Sequence, residues 1–200
     1  MVNIGVLASG RGTNLQAIIE AIKEGKIEGR ISIVISDNQD AFALKRAGQH
    51  NIKTRHINFT KFKEREDYDK EIINYLKEKK VDLVVLAGYM RILTPYFINA
   101  YKDKIINIHP ALLPSFPGLH AQKQAVEYGV KVSGCTVHFV DEGVDSGPII
   151  LQQAVEVKDD DTEESLAERI LREEHRIYPR AIQLFSEGRL VVKEKRVFIK

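Results

Sequence analysis

The sequence predicts an α/β protein with a Rossmann-like three-layer fold, its sheet mostly parallel with a mixed C-terminal portion. Three observations predict it. Short β-branched runs alternate with amphipathic helical patterns through the first half, the signature of parallel βαβ units. A glycine turn, Ser9-Gly10-Arg11-Gly12-Thr13-Asn14, follows the first of those runs and opens a helical pattern. Past residue 130 the chain changes to two strand-like runs around a polar loop, followed by one long helix.

In order, strands are expected at 2–8, 31–36, 54–57, 82–87 and 105–108, and helices at 13–24, 41–49, 64–80 and 120–128. In the third helix Tyr68, Ile72, Tyr75, Leu76 and Lys79 recur at helical spacing, so an apolar stripe faces the sheet while charged residues face water. Loops that follow parallel strands gather at the carboxyl edge of the sheet, which is therefore the expected ligand site. Further strands are expected at 131–140 and 149–157, then a helix from about 162 to 186. Asp161, with Glu164 three residues on, is its expected N-cap and capping partner, and Gly188 closes it. A terminal hairpin fits 190–193 and 196–199.

A chain of 200 residues with 44% hydrophobic content supports one sizeable core, so a single domain over 1–200 is expected. Its 30 basic and 28 acidic residues are mixed along the chain and leave a net charge of +2, which argues against nucleic acid or an anionic membrane as partner. The one cysteine, Cys135, excludes an internal disulfide framework and suits a reducing compartment, the cytoplasm. Residues 2–8 lack the features of a signal peptide, and no apolar stretch reaches the roughly 18 residues of a membrane span.

Four features carry the chemistry. In the glycine turn, backbone N–H groups and the helix dipole can cradle a phosphate, although a plain βα turn with Thr13 as N-cap has the same spacing. It is not a Walker loop, and Leu15 stands where a dinucleotide fingerprint has its third glycine. In Ile105-Ile106-Asn107-Ile108-His109-Pro110, alternation puts Asn107 and His109 on one strand face and Pro110 ends the ladder. The proline-rich stretch Ala111-Leu112-Leu113-Pro114-Ser115-Phe116-Pro117-Gly118 then suits a loop packed beside a pocket. The acidic loop Asp141-Glu142-Gly143-Val144-Asp145-Ser146-Gly147-Pro148 does not match an EF-hand, and if it folds over the end of the 105–109 strand one of its carboxylates can contact His109. On the last helix, Leu166, Ile170, Glu174, Ile177, Ala181 and Phe185 follow at steps of three or four, which puts Glu174 on an apolar face near Pro179, an expected kink. A carboxylate there needs a partner, in the protein or in a ligand, unless the stripe opens to solvent. The histidines show no metal-ligand spacing and no metal site is expected. Cys135, inside a strand, reads as a small buried hydrophobe.

These elements, with Leu86-Ala87-Gly88-Tyr89-Met90-Arg91-Ile92-Leu93 and Pro117-Gly118-Leu119-His120, resemble the folate-dependent formyltransferase family, and within it the phosphoribosylglycinamide formyltransferases. The resemblance runs from Met1 through Glu174-His175-Arg176-Ile177-Tyr178-Pro179. It implies transfer of a formyl group from 10-formyltetrahydrofolate, a cosubstrate, to the glycyl amine of glycinamide ribonucleotide. It makes Asn107, His109 and Asp145 the catalytic group. Gly12, Thr13 and Asn14 hold the ribonucleotide phosphate, and Leu171, Arg172, Glu173 and Glu174 contact the ribonucleotide. Arg65, Met90, Arg91, Ile92, Leu93, Asn107, Asp141, Glu142, Gly143, Val144 and Asp145 line the folate side. Residues 1–100 thus form the phosphate-binding half and 101–200 the catalytic and folate-binding half. Small-molecule substrates and a monomer or homodimer are implied.

The Asn-x-His-Pro and Leu-Leu-Pro elements are shared among formyl-handling enzymes, so a formyltetrahydrofolate hydrolase or a formyltransferase with another amine acceptor stays open. Methionyl-tRNA formyltransferases and the hydrolases look longer than this chain. A nucleotide-dependent oxidoreductase would use the glycine turn with Asp37 on a ribose, and an idle binding module would keep the turn alone. In the transferase reading, the Asn107 amide and a protonated His109 donate to the oxyanion, Asp145 favours the imidazolium, and Asp145 or an ordered water moves the proton.

Overall fold

A computed structural model describes residues Met1–Lys200, which divide into two compact units, Met1–Asn107 and Ile108–Lys200. In the first, β1 (Val2–Leu7), β2 (Gly29–Ser36), β3 (Thr54–His56), β4 (Leu83–Leu86) and β5 (Ile105–His109), whose last residues Ile108 and His109 belong to the second, take the order β3-β2-β1-β4-β5. Every pairing in that series is parallel. The residues explain the order. β1 and β4 supply Ile4, Val6, Leu7, Leu83, Val84 and Val85, all fully buried, as central strands covered on both faces must be. β3, with Thr54, Arg55 and His56, is short and polar and sits at the edge.

Three longer helices, α1 (Thr13–Lys23), α2 (Phe42–Gln49) and α3 (Arg65–Glu78), return the chain between these strands. α1 buries Leu15, Ile18 and Ile19, and α3 buries Tyr68, Ile72, Ile73 and Leu76, the stripe expected from spacing except that Tyr75 and Lys79 are only half-buried. Two short helices were not legible from the periodicity, a 3₁₀ turn at Phe59–Lys61 and α4 (Pro95–Ala100). α4 carries a local signal nonetheless. Thr94 caps it and Pro95 occupies its first position, where the missing N–H costs nothing.

The second unit contains α5 (Ala121–Tyr128), β6 (Val132–Phe139), β7 (Ile149–Glu156), α6 (Glu163–Ser186), β8 (Leu190–Lys193) and β9 (Arg196–Ile199). β6 and β7 are antiparallel, β7 meets β9 in parallel, and β8 and β9 form the expected hairpin. α6 packs Leu166 and Ile170 against Ala125, Cys135, Val155 and Val157. Cys135 is fully buried, and burial, with the nearby Glu174 and Glu173 carboxylates, pushes its thiol up to about 12. The sheet is therefore mostly parallel with a mixed C-terminal portion, as the sequence predicts.

The N-terminus of α6 corrects one expectation. Thr162, not Asp161, is the N-cap, and its capping-box partner is Ser165 rather than Glu164. Asp161 is turned away by Arg169, which donates to both carboxylate oxygens at 2.6 and 2.8 Å, and by the Lys158 N–H. A bidentate guanidinium outcompetes a cap bond for the carboxylate, and the hydroxyl one residue later takes the cap. Gly188, at φ 67, follows the helix as expected, and the helix continues past Pro179 to Ser186.

Candidate active site

The glycine turn is fixed by backbone geometry. Gly12 adopts φ 69 and ψ 30 and is itself the N-cap of α1, so Thr13 is the first helical residue and not the cap. A Cβ on Gly12 would lie 2.7 Å from Ala43 Cα, so neither the conformation nor the space admits a side chain. The turn is also pinned from outside. Ala43 N–H donates to Gly10 O at 3.0 Å, and Arg46 Nε donates to Arg11 O at 2.9 Å. Because of that packing, Gly12→Ala is expected to lower thermal stability by about 1–3 kcal/mol through αL strain and collision, measurable as a lower Tm. An unchanged Tm would mean that α2 yields at Ala43.

Across the same edge of the first unit, residues 88–94 follow β4 without regular structure and are clamped along their length. Met90 N–H donates to Ser9 Oγ at 3.0 Å. Arg91 Nε donates to Asp37 Oδ2 at 2.7 Å, and its guanidinium lies 3.8 Å from the Phe59 ring centroid. Thr94 donates to Asp69 Oδ2 from both its N–H and its hydroxyl, each at 2.7 Å. Burial raises the Asp69 carboxyl, and the Thr94 bonds counter part of that rise. Below them the Tyr68 and Tyr89 hydroxyls meet at 3.0 Å. Met90 and Ile92 are left 66% and 59% exposed, whereas Leu93 is buried. Arg65 is exposed at the start of α3. Asp37, weighed above as a ribose ligand, is instead committed to Arg91 through one oxygen.

In the second unit His109, at the end of β5 and only 4% exposed, is held between two acceptors. Its Nδ1 lies 3.2 Å from Asp145 Oδ2, and its Nε2 lies 2.8 Å from the Phe116 carbonyl oxygen. Both acceptors can be satisfied only when both ring nitrogens carry hydrogen, which is the imidazolium form. Asp145, at φ 50, also accepts the Gly118 N–H at 2.9 Å, and its other oxygen lies 3.6 Å from Nε2 of the buried His138. Burial pulls the Asp145 carboxyl up, but the bonds from His138 and Gly118 and the nearness of His109 outweigh it and hold the group below its ordinary value. The acidic loop does fold over the strand end. Its shape comes from Asp141, whose Oδ1 accepts from Gly143 N–H at 3.1 Å and Ser146 Oγ at 2.7 Å, while Glu142, Gly143 and Val144 are exposed.

The proline-rich stretch is tied down by Thr136 on β6, which donates to Ala111 O at 2.7 Å and accepts the Leu113 N–H at 3.0 Å. That places the Phe116 carbonyl and the Gly118 N–H where they meet His109 and Asp145. Sequence reasoning missed these two backbone groups, and it missed His138. The signal for His138 was a histidine inside a strand-like run next to apolar residues, Val137 and Phe139. Asn107, half-buried, pairs in register with Leu86 at the carboxyl end of β4 and stands two residues before His109 on β5.

On α6, Glu174 is 7% exposed, as its place in the stripe predicts. Of the other three expected ribonucleotide contacts, Leu171 is half-buried one turn before it, Arg172 is exposed, and Glu173 pairs with Arg176 at 2.9 Å.

Residues 2–182 match the family described as formyl transferase. The chain is 46% identical to phosphoribosylglycinamide formyltransferase of Escherichia coli (strain K12), over 98% of this chain and 93% of that protein. Among solved structures, glycinamide ribonucleotide transformylase 1 from Symbiobacterium toebii superimposes with a TM-score of 0.98 at 55% identity, covering 100% of this chain and 94% of that one. A formyltetrahydrofolate deformylase from Pseudomonas syringae pv. tomato has a TM-score of 0.92 but 30% identity, and its match covers 99% of this chain and 65% of that one. By the extent and identity of these matches, the chain belongs to the formyl transferase family.

Proposed function

We infer that this protein is a phosphoribosylglycinamide formyltransferase, moving the formyl group of 10-formyltetrahydrofolate to the glycyl amine of glycinamide ribonucleotide in de novo purine biosynthesis. The observation that carries the chemistry is the doubly accepted His109, held by Asp145 and the Phe116 carbonyl. Formyl transfer to an amine places negative charge on the formyl oxygen as the neutral amine attacks. An imidazolium at His109 and the Asn107 amide are suited to stabilise that charge, and both sit on a strand rather than a mobile loop. The Phe116 carbonyl competes for the Nε2 hydrogen, so substrate must draw that hydrogen toward the developing oxyanion. Asp145 keeps the positive charge in place, and the proton released by the attacking nitrogen reaches the leaving folate nitrogen through Asp145 or a water.

In this reading residues 1–100 bind the phosphate, through Gly12, Thr13 and Asn14, and residues 101–200 supply the catalytic group and part of the folate wall. The donor's other contacts are Arg65, Arg91 and the exposed Met90 and Ile92. The cytoplasm, which the single cysteine suits, is the compartment that fits. Incubation with glycinamide ribonucleotide and 10-formyltetrahydrofolate should form formylglycinamide ribonucleotide stoichiometrically with folate consumption. Formate release without acceptor formylation would assign the hydrolase activity instead.

Glu174 provides an independent test of the acceptor. Glu174→Gln keeps the side-chain shape and removes the charge, so the ribonucleotide KM should rise about 10–100-fold, the worth of a hydrogen bond to a charged group. Stability should stay within about 1 kcal/mol, as for other mild substitutions. Large destabilisation with normal KM would assign Glu174 to an internal ion pair.

A further inference from the structure

Ser9 opens the glycine turn, yet its polar groups serve other segments. Its N–H donates to Gly88 O at 3.0 Å, its hydroxyl accepts the Met90 N–H at 3.0 Å, and its carbonyl accepts from Asn38 Nδ2 at 3.4 Å. The first two bonds bracket the start of the 88–94 segment. We propose that Ser9 is a positioning residue that couples the occupied state of the phosphate turn to the geometry of the donor-lining segment.

Gly88 and Tyr89 are held by the Ser9 N–H and the Tyr68 hydroxyl, and the Met90 backbone by the Ser9 hydroxyl. Arg91 and Thr94 are anchored by carboxylates, whereas the exposed Met90 is anchored through its backbone by the Ser9 hydroxyl. An anion bound by the N–H groups of residues 12–14 adds a further restraint to a turn already held by Ala43 and Arg46. Ser9, three residues earlier on the same turn, passes that rigidity to Met90 through one hydrogen bond. By reciprocity, a donor seated on 88–93 tightens acceptor binding by the same factor. The proposal rests on the transferase reading, in which turn and segment face acceptor and donor respectively.

The test uses the full chain. In the wild type, saturating glycinamide ribonucleotide should slow amide hydrogen exchange in peptides covering 88–94. Ser9→Ala should abolish that slowing, raise the KM for 10-formyltetrahydrofolate about 2–10-fold, the worth of one neutral hydrogen bond, and leave kcat near wild type. A merely structural serine would lower Tm without removing a ligand-dependent change in exchange. Exchange at 88–94 that ignores the ribonucleotide in wild type, or responds equally in Ser9→Ala, overturns the coupling while leaving the transferase reading intact, provided wild type formylates the ribonucleotide. Wild-type protein that formylates nothing overturns both.

Discussion

Replacing His109 with alanine should lower kcat by about 10²–10⁴, and replacing Asn107 with alanine by about 10²–10³, in each case with the protein still folded. The two magnitudes differ because the residues contribute differently. Asn107 would lose one neutral donor to the oxyanion. His109 would lose a charged donor and also the group that keeps Asp145 in register. The fold should tolerate both changes, since the strand is held in the core by Ile105, Ile106 and Ile108, all buried. His109→Ala does strand the Phe116 carbonyl and one Asp145 contact, at a cost of about 1–3 kcal/mol. Asp145 keeps the Gly118 N–H, which limits that cost. Single-turnover rates at saturating substrates, with circular dichroism on the same preparations, check the expectation. A His109→Ala enzyme within tenfold of wild type would remove the histidine from the chemistry.

Asp145→Asn should reduce kcat by a comparable factor, because asparagine keeps the shape and removes the negative charge that lies 3.2 Å from His109 Nδ1. Single-turnover rates on this variant check it, and a rate within tenfold of wild type would remove the Asp145 charge from the chemistry. Stability responds as well. The Asp145 carboxyl lies below its unfolded value of about 3.9, so its stabilisation is fully present above that pH and is lost as pH falls through the folded value. In denaturant titrations below about pH 4, the wild type should therefore lose stability more steeply than Asp145→Asn.

The interactions behind these expectations were legible to different degrees. Asn107 and His109 are two residues apart on one strand, and a period of two is enough to place them on one side. Glu174 inside the apolar stripe of α6 was legible for the same reason with a period of 3.6, and so was the buried Cys135. From the residues alone, that the 141–148 loop can reach His109 was legible only as a condition, and the family resemblance was needed to name Asp145. Sequence distance says nothing about which carboxylate arrives, and Asp145 arrives because Asp141 curls the loop through Gly143 and Ser146.

By itself the sequence determined the strands and the longer helices, the apolar faces of α3 and α6, the glycine turn at the head of α1 and the strand that carries Asn107 and His109. All of these depend on contacts within a few residues, where propensity and periodicity act. Only the tertiary structure decided that Asp37 serves Arg91 54 residues away, that Asp69 holds Thr94 25 residues away, and that Ser9 holds Met90 81 residues away. It alone decided that His109 faces a carbonyl as well as a carboxylate, and that a second histidine stands behind Asp145. Such bonds join side chains to distant backbone, follow no repeat, and depend on which loops the sheet brings to one edge. Even the cap of α6 belongs with them, because Arg169 eight residues along the chain withdrew Asp161 from a role that local spacing assigned to it.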